Sequence, residues 1–149
     1  MNAFERAETK VQLLSREFLP AWTALRSAID DLIGSYNRTE KGKLYPAGRR
    51  LQEGDRAVIV SCDKGLSNDR FHHVMLIITV SFREGEYEIV VVTERWLSVN
   101  GREVMQESTS TETFRFDGDV AAQTVWLTSG GDRLSAFQCA EAFLVSALR

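Results

Sequence analysis

Histidine and cysteine are scarce, with two of each in 149 residues. The histidines are neighbours, His72 and His73, in a run that reads as a strand, and neighbours on a strand point to opposite faces. They cannot ligate one metal ion together. No CxxC, HxH or HExxH spacing occurs either, so no zinc or iron centre is expected. Cys62 and Cys139 each lie inside an apolar run, the setting of reduced core thiols rather than of a disulfide or a nucleophile. A charge excess is missing too. Eighteen Lys and Arg against 21 Asp and Glu leave a net charge of −3, far from the basic footprint of a nucleic-acid-binding domain. No uncharged apolar run approaches the roughly 18 residues of a membrane span. Glu5, Arg6, Glu8 and Lys10 interrupt any apolar segment of an N-terminal signal. A cytoplasmic location is the default expectation.

Motifs that carry chemistry are also lacking. Lys64-Gly65 and Gly130-Gly131 match neither GxxxxGK[ST] nor GxGxxG. No serine sits in a GxSxG elbow, and residues 63–69 lack the ligand spacing of an EF-hand. No cofactor is expected. Repeats and low-complexity linkers are absent, and 149 residues suit a single domain spanning 1–149, large enough to bury a core without disulfides or metal.

What is present is a pair of long β-branched and aromatic runs, 71–82 and 87–98, around a glycine-containing break: a β-hairpin. On the first run Val74, Leu76, Ile78, Val80 and Phe82 form a core face; His73, Met75, Ile77, Thr79 and Ser81 form the other. The second run is ambiguous, because a one-residue change in the turn at 83–86 swaps its faces. Asn100-Gly101 predicts a type I′ turn, with Val99 opposite Arg102, Leu97 opposite Val104 and Glu94 opposite Glu107. Facing carboxylates could raise one pKa, though two exposed acids on a strand edge are the simpler reading. Residues 108–113 read as a solvated strand, and 120–128 as the last one.

Upstream, residues 3–33 repeat apolar side chains at steps of three and four, as on a sheet-packed helix. Pro20 predicts a kink, or two helices meeting at Leu19-Pro20, and Gly34 a stop. Residues 35–54 have no period and read as a long basic loop carrying Arg38, Lys41, Lys43, Arg49 and Arg50, the kind of loop that is functional when it occurs in a compact domain. A strand covers 56–62 and a polar turn 63–70. Asp132 is a candidate N-cap for a closing helix over 133–148. The fold class is therefore α+β: a long N-terminal helix kinked near Pro20, a five- or six-stranded antiparallel meander, and a C-terminal helix packed on the sheet.

The central strands are apolar on both faces, whereas an antiparallel sheet usually shows water one polar face. The C-terminal helix could cover the second face; otherwise a homodimer or a partner protein does. The leading functional reading is a small non-catalytic interaction module, adaptor or regulatory, that binds protein through the sheet face (Met75, Ile77) and the basic loop. A second reading is an enzyme or small-molecule binder whose pocket, between curved sheet and helix, is lined by Phe18, Trp22, Trp96 and Trp126 with His73 as acid–base group. A third is a nucleotide or nucleic-acid contact through residues 37–50.

Overall fold

In the computed structural model, residues 1–52, 56–83 and 86–148 are described. The fold is α+β, with a long N-terminal helix, a curled antiparallel sheet and a C-terminal helix. Helix α1 (Ala3–Arg38) opens on a capping box. The Asn2 side chain accepts the Glu5 amide at 2.9 Å, and the Glu5 carboxylate accepts the Asn2 amide at 3.2 Å. The helix continues across Pro20, so the two-helix alternative falls. Pro20 lies on the exposed side, where water can serve the carbonyl that the missing N–H would have met.

Gly34 does not stop the helix. Thr39 does: its amide donates to the Tyr36 carbonyl at 3.0 Å, and its hydroxyl accepts the Gly42 amide at 3.0 Å. It thereby closes α1 and caps α2 (Glu40–Leu44). The expected basic loop is thus the end of α1, then α2, then strand β1 (Ala47–Gln52). A run without hydrophobic period hid a short helix and an edge strand, neither long enough to show one.

Strands β2 (Ala57–Ser67), β3 (Arg70–Arg83), β4 (Glu86–Val99), β5 (Arg102–Asp119), β6 (Thr124–Ser129) and β7 (Asp132–Leu134) complete a seven-stranded sheet in sequence order. Five or six strands were expected. The additional ones are β1 and β7, the latter taking residues assigned to the closing helix. Helix α3 (Ala136–Leu148) starts later, capped by Ser135, whose hydroxyl accepts the Gln138 amide at 3.1 Å. Strand β2 also runs through the expected polar turn and reverses only at Asn68 and Asp69. The turn at 83–86, on which the β4 faces depended, includes two residues outside the described set. The pairing itself answers the question: Ile78 lies opposite Val91 and Val80 opposite Ile89. Even positions of β3 therefore share a face with odd positions of β4.

That inner face holds the core. Val58, Val60, Cys62, Val74, Leu76, Ile78, Ile89, Val91, Phe114, Phe116 and Leu127 meet Leu14, Trp22, Leu25, Ile29 and Ile33 of α1 and Cys139, Phe143 and Leu144 of α3. Phe114 and Phe143 touch edge to face at 5.8 Å between centroids. Full burial of each such side chain contributes about 1.5–3 kcal/mol. Phe82, expected in this core, is 56% exposed at the sheet's end.

Two polar fastenings supplement the core. Lys64, 7% exposed, reaches the Ala147 carbonyl in the last turn of α3 at 3.1 Å, where a cation meets the negative end of the helix dipole. Burial, then the Lys41 and Arg95 charges, hold its pKa below the ordinary lysine value. Lys10 Nζ meets Asp117 at 2.7 Å and ties the start of α1 to β5.

Gly42 is pressed against the end of α1: a Cβ there would lie 1.9 Å from the Tyr36 carbonyl oxygen, whereas one at Gly48 would meet nothing within 4 Å. Gly42→Ala should therefore cost about 1–3 kcal/mol in urea unfolding, and Gly48→Ala should leave the midpoint nearly unchanged. Burial raises the Asp117 carboxyl, but the Lys10 ammonium, the Gly118 amide and the Arg133 charge outweigh it, so the net shift is downward. A carboxyl with a lowered folded pKa stabilises fully above its unfolded value, and that contribution fades as pH falls through the folded value. An acid titration followed by circular dichroism should accordingly show Asp117→Asn losing stability relative to the parent near neutral pH, with the gap closing below about pH 4.

Candidate functional site

Because both helices pack on the inner face, the outer face of the sheet carries none of the core cluster. Cross-strand partners share a face, so the register arranges that outer face in rows. Arg50, Ile59, Ile77, Val92 and Thr111 form one; Gly48, Ser61, Met75, Glu94 and Thr109 form the next. Gln52, Ala57, Thr79, Val90 and Thr113 lie to one side, and Asp63, His73, Trp96 and Gln106 to the other. The centre is apolar: Ile59, Met75, Ile77, Val90, Val92 and Trp96. Ile59 is buried and the other five are half-buried. The threonines of β5 are exposed, as the solvated-strand reading expected. Met75 and Ile77 thus lie where a sheet-face contact requires them, and α3, the competitor for covering this face, is on the other side.

The five basic residues do not form one loop surface. Arg49 grips Asp30 of α1 with two hydrogen bonds, Nε to one carboxylate oxygen and Nη2 to the other at 2.9 Å. Arg50 borders the outer face on β1. Arg38 donates to Ser35 at 3.3 Å, and Lys41 and Lys43 belong to α2.

Of the five residues expected at one pocket, Trp22, His73, Trp96 and Trp126 are spread over three places. Trp22 is buried in the inner core. His73 and Trp96 are directly opposed on the outer face. Trp126 alternates with the buried Leu127, pairs with Asp117, and has the Arg133 guanidinium 3.7 Å over its ring. His73 is held between two carboxylates, with Nδ1 2.5 Å from Asp63 and Nε2 3.8 Å from Glu103. His72, on the opposite face, meets Glu107 at 2.9 Å. The Glu94–Glu107 pair does not form. Bulges beside Trp96 and Ser98 insert Val104 and Glu107 into β5, and Glu94 comes to face Thr109. Asn100 and Gly101 do take positive φ values of 53° and 78°, the expected turn.

Both cysteines are buried and free. Burial, with Glu112 nearby, pushes the Cys139 thiol up to about 12, which removes it as a thiolate nucleophile near neutral pH. The Cys62 thiol donates to the Tyr45 carbonyl at 3.2 Å, and Tyr36 donates to the same carbonyl at 2.9 Å. Burial, then the Cys62 contact, drives the Tyr36 phenol well above its usual pKa, and the cluster ties α1 and the α2–β1 joint to β2. Among the described residues no group of three or more His, Cys, Asp or Glu is placed to hold a metal ion, and no helix is long and apolar enough to cross a membrane.

A groove does open between sheet and helix, though not from the expected residues. It measures about 620 Å³ and runs between α1 (Phe18, Leu19, Trp22, Arg26) and the sheet's end (Arg56, Val80, Phe82, Tyr87). Of the anticipated lining, Phe18 and Trp22 are there. Phe82 and Arg56 were not foreseen: an alternating strand pattern assigns Phe82 to the core, and nothing local marks the sheet's edge. No known protein family, no curated protein and no solved structure matches this chain.

The bidentate Arg49–Asp30 pair clamps edge strand β1 to α1, and its side chains are about a third exposed, 35% and 41%. Arg49→Ala should lower the thermal midpoint slightly, by an amount equivalent to no more than about 1 kcal/mol, and high salt should narrow the difference from the parent.

Proposed function

We propose that this chain is a non-catalytic protein-interaction module whose working surface is the outer face of β2–β5, and that a second copy of the chain is what docks there. One observation carries the reading: α1 and α3 lie on the same face of the sheet, leaving the apolar rows centred on Ile59, Ile77 and Val92 without a helix of their own. Exposed apolar patches of several hundred Å² mark interaction sites in globular proteins. Four strands at about 4.8 Å spacing and about eleven residues of length present roughly 700 Å². That is close to the roughly 800 Å² each partner contributes to a standard stable interface.

Two such faces can stack as sheets do in a sandwich, about 10 Å apart with side chains interdigitated. The flanking residues suit a rim. Arg50, Gln52 and the threonines of β5 border the apolar centre on both sides, matching the polar margin and apolar middle of protein interfaces. In this reading Arg50 serves the contact, while Arg49 has a structural task. Arg38 on α1 and Lys41 and Lys43 on α2 are not needed for it. The dispersal of those cations also weakens the nucleic-acid alternative, which requires clustered charge.

Sedimentation velocity at micromolar concentration tests the proposal. The parent should sediment as a dimer, and Ile77→Asp, which places a carboxylate at the centre of the contact, should sediment as a folded monomer with an unchanged far-ultraviolet spectrum. Met75→Asp should act in the same direction. A monomeric parent, or a variant that remains dimeric, rules out this surface as the self-contact.

A further inference from the structure

The outer face carries one side chain built to enter a dry contact. Trp96 is the largest residue in the four outer-face rows, and it closes the apolar centre on the side of Asp63, His73 and Gln106. Bulges beside Trp96 and Ser98 flank it in the β4–β5 pairing, and a bulge raises the local twist and re-aims the side chains next to it. An indole has a donor and no acceptor, so a buried tryptophan needs a partner for its N–H. Trp96 has that partner in its own chain: Nε1 donates to the Glu94 carboxylate at 3.2 Å. Glu94 is two residues back on the same strand and therefore on the same face. The ring can lose its water without leaving the N–H unpaired. Around it the polar side chains are engaged with one another. His73, directly opposite, lies between Asp63 at 2.5 Å and Glu103 at 3.8 Å, and both acids are exposed. The other two tryptophans are occupied, Trp22 in the core and Trp126 under Arg133. Trp96 is half-buried, and among the described residues no ring or cation stacks on it.

We propose that Trp96 is the anchor of the contact between two copies of the chain, and that Glu94 is its positioning residue. The inference rests on the outer-face reading and adds where the affinity is concentrated. Interface energy gathers on a few large side chains, tryptophan foremost, that enter a desolvated pocket inside a polar ring. Here the indole enters the apolar rows of the second copy, and Asp63, His73, Glu103 and Gln106 form the wet ring. Glu94 has Met75 on one side and the exposed Thr109 on the other. Its carboxylate thus stands at the margin of the apolar centre, within reach of water. Removing that acceptor leaves the indole N–H unpaired in a dry contact, the costly way to lose a hydrogen bond. In a two-fold contact each copy contributes the same patch, so the anchor is used twice.

Sedimentation equilibrium of the full chain over a concentration series measures the dimer dissociation constant. Trp96→Ala should weaken self-association by about thirtyfold or more. Glu94→Leu should weaken it by about tenfold in the parent and by much less in Trp96→Phe, which has no indole N–H to satisfy. Comparing the two backgrounds separates the hydrogen bond from the loss of the Glu94 charge. Both side chains lie on the outer face, away from the core, so far-ultraviolet spectra should match the parent's. If Trp96→Ala does not fold, the comparison built on Trp96→Phe carries the test alone. Either of two results overturns the proposal: Trp96→Ala dimerising like the parent, or Glu94→Leu changing the constant equally in both backgrounds. A dimer that Ile77→Asp dissociates and Trp96→Ala leaves intact keeps the outer-face reading and removes the anchor. A parent that is monomeric throughout the series removes both.

Discussion

The structure depends on a meander of seven strands curling over one long helix. Each strand has two faces, and curling makes them unequal. The inner face closes over Leu25 and Ile29, both fully buried, and receives α3 beside α1. Packing both helices on one side gives a single continuous core of aliphatic and aromatic side chains, the term that dominates folding free energy. It also leaves the outer face uncovered. The core and the uncovered apolar rows are two results of one packing decision.

Holding that arrangement requires closures where the chain changes layer. Thr39 ends one helix and caps the next within a single residue. Tyr36 and Cys62 share the Tyr45 carbonyl, and Asn37 brackets Ala47 through both its amide and its carbonyl, so the passage from helix to β1 is pinned in three places. Lys64 does the equivalent work for the C-terminal helix, under the last turn of α3. The Tyr36, Asn37 and Cys62 contacts are part-buried and join residues 9 to 17 positions apart, whereas Lys64 and Ala147 are 83 apart. Their value lies in satisfying groups that would be costly to leave unpaired more than in adding stability.

The outer face and the groove lie on opposite sides of the sheet. The outer face is broad and apolar with a polar border, suited to a flat partner. The groove between α1 and the sheet's end is narrower, and Phe18, Trp22, Phe82 and Tyr87 are among the residues that line it. They adjoin through the same strands: Ile77 and Ile78 are neighbours on β3 yet belong to opposite layers. Charge is spent differently as well. Arg49 is committed to Asp30, while Arg50, one residue on, points to the other side because strand side chains alternate.

Residue patterns alone determined the long helix, the hairpin at the centre of the sheet, the turn at Asn100 and Gly101, and the burial of Val74, Leu76 and Ile78 on β3. Each rests on local periodicity or on a backbone conformation that few residues tolerate. Met75 and Ile77 were legible as a second apolar face for the same reason. Tertiary structure alone decided the rest. Strand β1 and helix α2 exist because α1 and β2 offer them partners, not because their own sequences show a period. The bulges that separate Glu94 from Glu107 are a property of the pairing, invisible in either strand. Trp22, Trp126 and the opposed pair His73 and Trp96 parted because the layer a residue joins depends on register and on where the helices dock. Phe82 and Arg56 came together at a sheet edge that only the folded chain possesses. Local order is dictated by neighbours along the chain; sites are made by neighbours in space, and those are set by packing.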